Sequence, residues 1–225
     1  MTVLTTETPI SNQARALASF AKETTEHEMT ILHDDGLYRH LRFQKPGTRM
    51  FGYDVVTWPG HVSITGDMGD SVLARDMDML NFLAGPDPLA DGSISFSYFA
   101  EKVVANSGSK EHWNPQFLEE HLRGAWLEHC ESQEVSPDSP EAINWWESLK
   151  DKILNASDDW GNSDEHAQRE ALSHWESSKK RDFTGVRLSD TWEWDCKDLD
   201  YHLYWRLIAL RVAANRYFAA TEGDK

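Results

Sequence analysis

The sequence predicts an α+β protein: an N-terminal antiparallel β-meander of four to five strands packed against a set of helices. Three observations carry this. Apolar and polar residues alternate in short runs between residues 29 and 75, tight-turn signals punctuate those runs, and from Asp76 onward the period lengthens to that of helices.

The clearest strand signal lies between Arg49 and Arg75. Tyr53, Val55 and Thr57 alternate with Asp54, Val56 and Trp58, and Pro59-Gly60 turns the chain. His61, Ser63 and Thr65 then alternate with Val62 and Ile64 before a second turn, Gly66-Asp67-Met68-Gly69. Upstream, Met29 to His33 reads as extended and Asp34-Asp35-Gly36 as a turn. Along Leu37 to Phe43, Leu37, Arg39, Leu41 and Phe43 share one face, and Tyr38, His40 and Arg42 the other.

The helices follow from caps and breakers. Ser11 is placed to cap a first helix to Glu28. Asp76 to Leu83 reads as a short helix and Ser97 to Ala105 as another. Asn114-Pro115 opens a longer one to about Glu134, proline being tolerated in a first turn. Ser136-Pro137-Asp138-Ser139-Pro140 breaks the chain before a Trp145-Trp146 helix ending near Leu154. Ser163 to Lys179 is polar and helical. Leu199 to Ala220, apolar over much of its circumference, is expected at the centre of the fold, with Asp195, Asp198 or Asp200 as its cap. Arg206, Arg211 and Arg216 sit five apart on it, and at least one is expected to form a buried ion pair with an acidic residue of the acidic stretch at 111–170. With no repeat and no evident linker, the chain reads as one domain over 1–225: a leading helix over 1–28, the sheet over 29–75 and a mainly helical remainder over 76–225.

Composition narrows the function classes. No apolar run approaches the ~18 residues of a membrane span, and the start M-T-V-L-T-T-E-T-P lacks the basic and apolar stretches of a signal peptide. Cys130 and Cys196 stand far apart with no C-x-x-C, which points to a reducing, cytoplasmic setting and away from a disulfide framework. The net charge of −16 is uneven: residues 111–170 hold 15 acidic against 4 basic residues. Such a field repels nucleic acid, so direct nucleic-acid binding is not expected, whereas a basic protein surface is a fitting partner. Ten tryptophans read mainly as core anchors, since an indole needs one acceptor. No Walker loop, G-x-G-x-x-G, G-x-S-x-G or H-E-x-x-H motif is present. No cofactor is implied.

Three constellations remain. Tyr38, Arg39, His40, Arg42, Tyr53, Trp58 and His61 interleave basic and aromatic residues on adjacent strands, a combination that suits a phosphate held by charge-assisted hydrogen bonds beside a stacked ring. Gly66, Asp67 and Gly69 would add backbone donors, or carboxylates for a cation. His166, Glu170 and His174, at i, i+4 and i+8, drift by about 40° a step on a helix and form a weaker metal candidate.

The segments T-W-P-G-x-x-x-I-x-G-D-M-G (57–69), S-Y-F-A-E-K (97–102), D-T-W-E-W-D (190–195) with Y-H-L-Y-W-R-L-I-A-L (201–210), and D-G-L-Y-R-H-L-R-F (35–43) together resemble a family of small proteins of tailed phages and prophages. The resemblance covers about residues 29–217 and implies no catalytic residues. It implies an accessory protein that antagonises a host defence by binding. One route is sequestering a small nucleotide-type signal on the basic-aromatic sheet face. Another is blocking a host nuclease or CRISPR effector with the acidic helices. Apart from the resemblance, His166, Glu170 and His174 leave a metal-dependent phosphodiesterase as a third class. Such binders are often homo-oligomers.

Overall fold

The computed structural model describes residues 11–91, 94–157, 164–177 and 185–222. The chain groups into two compact units, one of residues 1–111 with 199–225 and one of residues 112–198, where the sequence reading draws a single domain.

The first unit holds the expected antiparallel meander. β1 (Glu28–Asp35), β2 (Tyr38–Gln44), β3 (Tyr53–Trp58), β4 (His61–Gly66) and β5 (Ser71–Ala74) pair in chain order, and a sixth strand, β6 (Val103–Asn106), adds beside β5. The expected helix over Ser97–Ala105 is therefore split: α4 (Phe96–Glu101) ends and the chain turns into β6. Around the sheet, α1 (Asn12–Glu23) starts at a Ser11 cap whose hydroxyl accepts from the Ala14 N–H. It ends five residues short of the expected Glu28, which opens β1. Asp78 caps α2 (Met79–Leu83), and α3 (Pro88–Asp91) follows.

α8 (Tyr201–Glu222) is the spine of this unit. Leu203 to Ala214 are buried without a break, and the core they join includes Phe20, Leu41, Phe43, Tyr53, Val55, Ile64 and Leu73. Asp200 caps it, accepting from the His202 and Leu203 N–H groups. Each of its three arginines donates to a backbone carbonyl, in three separate loops. Arg206 Nη1 donates to Met68 O at 2.5 Å, Arg211 Nη1 to Pro86 O at 3.4 Å, and Arg216 Nη1 to His27 O at 2.8 Å. A five-residue spacing turns each arginine about 140° from the last, so one helix reaches three directions.

The second unit is helical: α5 (Pro115–Ser132) capped by Asn114, α6 (Pro140–Leu149) running into a π-turn over Lys150–Leu154, and α7 (Glu165–Ser177). Its core gathers Leu118, Leu122, Trp126, Leu149, Ile153 and Leu172. Most of this unit's tryptophans pack on that core as expected, Trp113, Trp126, Trp145, Trp146, Trp175 and Trp194 among them, while Trp192 is exposed. Trp126 Nε1 donates to Ala142 O, Trp175 Nε1 to Val186 O, and Trp113 Nε1 to Gln168 Oε1. β7 (Glu111–Trp113) and β8 (Lys197–Leu199) pair as a separate two-stranded sheet.

Candidate functional site

Burial alternates along β2 to β5, so the sheet has a sealed face and an open one. Leu41, Phe43, Val55, Val62, Ile64 and Leu73 are on the sealed face. On the other, cross-strand register builds a grid. Its first row carries Asp35 opposite Tyr38, Trp58 opposite His61, and Ala74 opposite His61. A second row runs His33, His40, Val56, Ser63, Val72, and a third runs Thr30, Arg42, Asp54, Thr65. None of these residues is buried.

The first row is aromatic. Trp58 and His61 stack with ring centroids 5.2 Å apart and planes 7° from parallel, at the Pro59-Gly60 turn that brings them together. His61 Nδ1 lies 3.2 Å from Pro59 O; since a carbonyl can only accept, that nitrogen carries the proton and Nε2 is left unspent. Tyr38 is 54% exposed, offering its ring to solvent.

The third row carries an ion pair. Arg42 donates from Nε to Asp54 Oδ1 at 2.8 Å and from Nη2 to Oδ2 at 3.0 Å. This contact holds the Asp54 carboxyl below the usual carboxylate range and raises the Arg42 guanidinium. A guanidinium has five N–H hydrogens; Asp54 takes two, so the outer edge keeps three. Between the rows, His40 Nε2 stands 3.7 Å from Asp54 Oδ2, buried and without a hydrogen bond.

Five of the expected contributors, Arg39, Tyr53, Gly66, Asp67 and Gly69, do not belong to this face. Arg39 is buried on the opposite one, where Asp78 takes Nη1 and Nη2 at 2.8 and 3.0 Å and Tyr217 accepts from Nε. Tyr53 is 4% exposed, stacked on Phe43 at 4.8 Å within the core. The Gly66–Gly69 turn spends its donors internally: Asp67 N–H goes to Gly52 O and Gly69 N–H to Gly66 O. The Asp67 carboxylate accepts from Phe51 N–H at 2.8 Å, and the Met68 carbonyl is taken by Arg206. Gly66 fits because a Cβ there would collide with Gly52 O, and Gly69 because one would lie 2.5 Å from Arg206 Nη1. The turn is a structural joint. The face that remains is Tyr38, His40, Arg42, Trp58 and His61, and Asp54 is the addition that sequence reasoning missed. Its signal was present: Asp54 opposes Arg42 across the strand pair, where opposite charges meet.

In the second unit, His166, Glu170 and His174 are exposed on α7, and no group of three or more His, Cys, Asp or Glu that could hold a metal forms among the described residues. Glu120, Glu128 and Glu131 are exposed along α5, while Glu119 is paired with Arg123 at 3.1 Å. Residues 112–198 carry 20 acidic against 9 basic residues, a net of −11. No helix among the described residues is long and apolar enough to cross a membrane. Comparison of the chain with known protein families, curated proteins and solved structures finds no match.

Proposed function

We propose that the protein acts by binding, and that its open sheet face takes a nucleotide-type signal, a small phosphate-bearing molecule with a planar ring. The observation that supports this reading is the uncovered row of Tyr38, Trp58 and His61 on the same sheet face as Arg42, two rows along, whose outer edge keeps three N–H groups. A ring stacks on the aromatic row, a contact of about 1–3 kcal/mol per base. Arg42, held edge-on by Asp54, then donates to a phosphate as an oriented fork rather than a free charge. The resemblance to phage proteins supplies the biological setting: removal of such a signal disarms a host defence.

Asp54 also neutralises Arg42, so the face gains little from long-range attraction, and binding should depend only weakly on salt. Calorimetric titration with cyclic dinucleotides and ADP-ribose derivatives tests the reading. Binding is expected in the wild type and lost in Trp58→Ala and Arg42→Ala. Absence of binding by every ligand in the panel overturns it.

A second reading rests on a separate observation, the net −11 of residues 112–198 with Glu120, Glu128 and Glu131 free along α5. That unit docks on a basic groove of a host nuclease or CRISPR effector, imitating nucleic acid. Reversal of charge at Glu119, Glu120, Glu128 and Glu131 should abolish capture of such a protein and leave calorimetric ligand binding intact.

A further inference from the structure

β1 ends the six-stranded sheet, and among the described residues its outer edge has no neighbouring strand. Seven of its eight residues are exposed, Met29 alone being half-buried. Such an edge is a row of unpaired N–H and C=O groups, a template for one more strand. At its middle, Ile31 and Leu32 are 39% and 45% exposed, an apolar pair on a strand whose other exposed residues are polar.

Charge decides what can add here. Glu28 and Asp35 stand exposed at the two ends of the strand. Asp34 is already engaged, accepting from the Tyr217 hydroxyl at 3.1 Å and lying 3.8 Å from Arg39 Nε. A second copy of the chain, related by a twofold axis, would pair β1 with itself antiparallel and, centred on Ile31 and Leu32, would set Glu28 against Asp35 at both ends. Like charges directly opposed are destabilising. The bulge between Ile31 and His33 further breaks the flat run that self-pairing needs. A strand with the opposite pattern, apolar in the middle and basic at its ends, escapes the charge repulsion and meets the bulge of β1 once rather than on both strands.

We infer that the open edge of β1 is a docking site for an extended segment of a partner protein, apolar at its centre and carrying Lys or Arg at both ends, which adds as a seventh strand. The backbone supplies affinity, Ile31 and Leu32 supply apolar contact, and Glu28 and Asp35 set the charge preference. This edge is distinct from the residues proposed to bind on the open sheet face, Tyr38, His40, Arg42, Trp58 and His61, which lie on β2, β3 and β4.

The probe is a fluorescent peptide alternating threonine and valine with a lysine at each end. It should bind the full chain, measured by anisotropy, and slow hydrogen exchange at the amides of residues 28–35. The same peptide with glutamate at each end should bind about tenfold more weakly, the effect of two end pairs that together contribute about 1.4 kcal/mol. Ile31→Lys and Leu32→Lys should weaken the lysine peptide while leaving the unfolding midpoint unchanged, since both side chains are exposed. Equal binding of the two peptides, no binding, or protection elsewhere than in β1 overturns the proposal. Doubling of mass with concentration, abolished by Ile31→Lys, would make a second copy the occupant and overturn it equally.

Discussion

Arg39 and Asp78 form a two-pronged ion pair, Nη1 to Oδ1 at 2.8 Å and Nη2 to Oδ2 at 3.0 Å, with the arginine on the sealed side of the sheet. The same carboxylate caps α2 through the Leu80 and Asn81 N–H groups. One side chain therefore balances a buried charge and starts a helix. Asp78→Ala removes both functions and should cost about 3 kcal/mol in chemical denaturation. The Arg39 contact holds the Asp78 carboxyl below its ordinary range. Its stabilising contribution is thus present above the unfolded carboxylate pKa of about 3.9 and is lost as pH falls through the lower folded value. The wild type should lose stability on acidification that Asp78→Ala has already lost. An alanine variant as stable as the wild type at pH 7 would refute this.

His27 gives a dependence at milder pH. Its Nε2 donates to Phe51 O at 3.1 Å, while Nδ1 is buried with no partner. Burial first, and the nearby Arg216 charge after it, push its pKa below the ordinary value. The unfolded chain binds a proton near pH 6.5 that the folded chain refuses, so stability falls as pH drops below about 6.5. Urea midpoints from pH 7.5 to 5.5 should decline in the wild type and decline less in His27→Gln, which cannot titrate. Parallel slopes would remove His27 as the cause.

Two glycines provide a matched comparison. Gly60 and Gly69 have φ of +80° and +83°, in the left-handed region. A Cβ on Gly60 meets open space, whereas one on Gly69 would lie 2.5 Å from Arg206 Nη1 and from Ser107 Oγ. Gly60→Ala should cost only the conformational penalty of about 1–2 kcal/mol. Gly69→Ala should cost more, because it also displaces Arg206 from the Met68 carbonyl. Equal midpoints for the two variants would show that this clamp contributes nothing.

The two cysteines should be silent to thiol reagents. Cys130 and Cys196 are both buried, and burial pushes the Cys196 thiol up to about 11. At pH 8 a thiol of that pKa is about 0.1% thiolate, the reactive form. An aromatic disulfide reagent should therefore react at the rate of unfolding. Immediate reaction of either thiol in the native protein would count against the burial described here.

What the sequence made legible was whatever depends on near neighbours. The Tyr53–Trp58 and His61–Thr65 alternation around Pro59-Gly60 gives β3, β4 and their turn, and Ser11, Asn114 and Asp200 announce their helices. β6 was hidden because Val103, Val104 and Ala105 show no alternation and follow directly on a helix. Arg39 is more instructive. Strand parity put it on the face of Leu41 and Phe43, which implied burial, yet its charge suggested solvent. The carboxylate that resolves the conflict lies 39 residues away, beyond any local pattern. The division into two units was only half marked: Ser107-Gly108-Ser109 stands just before residues 111–112, but no Gly-, Pro- or Ser-rich stretch marks residues 198–199.

The position of α8 in the chain orders events during synthesis. Residues 11–106 leave the ribosome as a meander with one apolar side and no spine to cover it, and that spine follows only after residues 112–198. The helical unit, continuous in sequence, can assemble first from its own contacts. For the time between, Leu41, Phe43, Val55 and Ile64 await their cover, so the nascent protein passes through a stage in which its sheet is most open to chaperones and to misassociation.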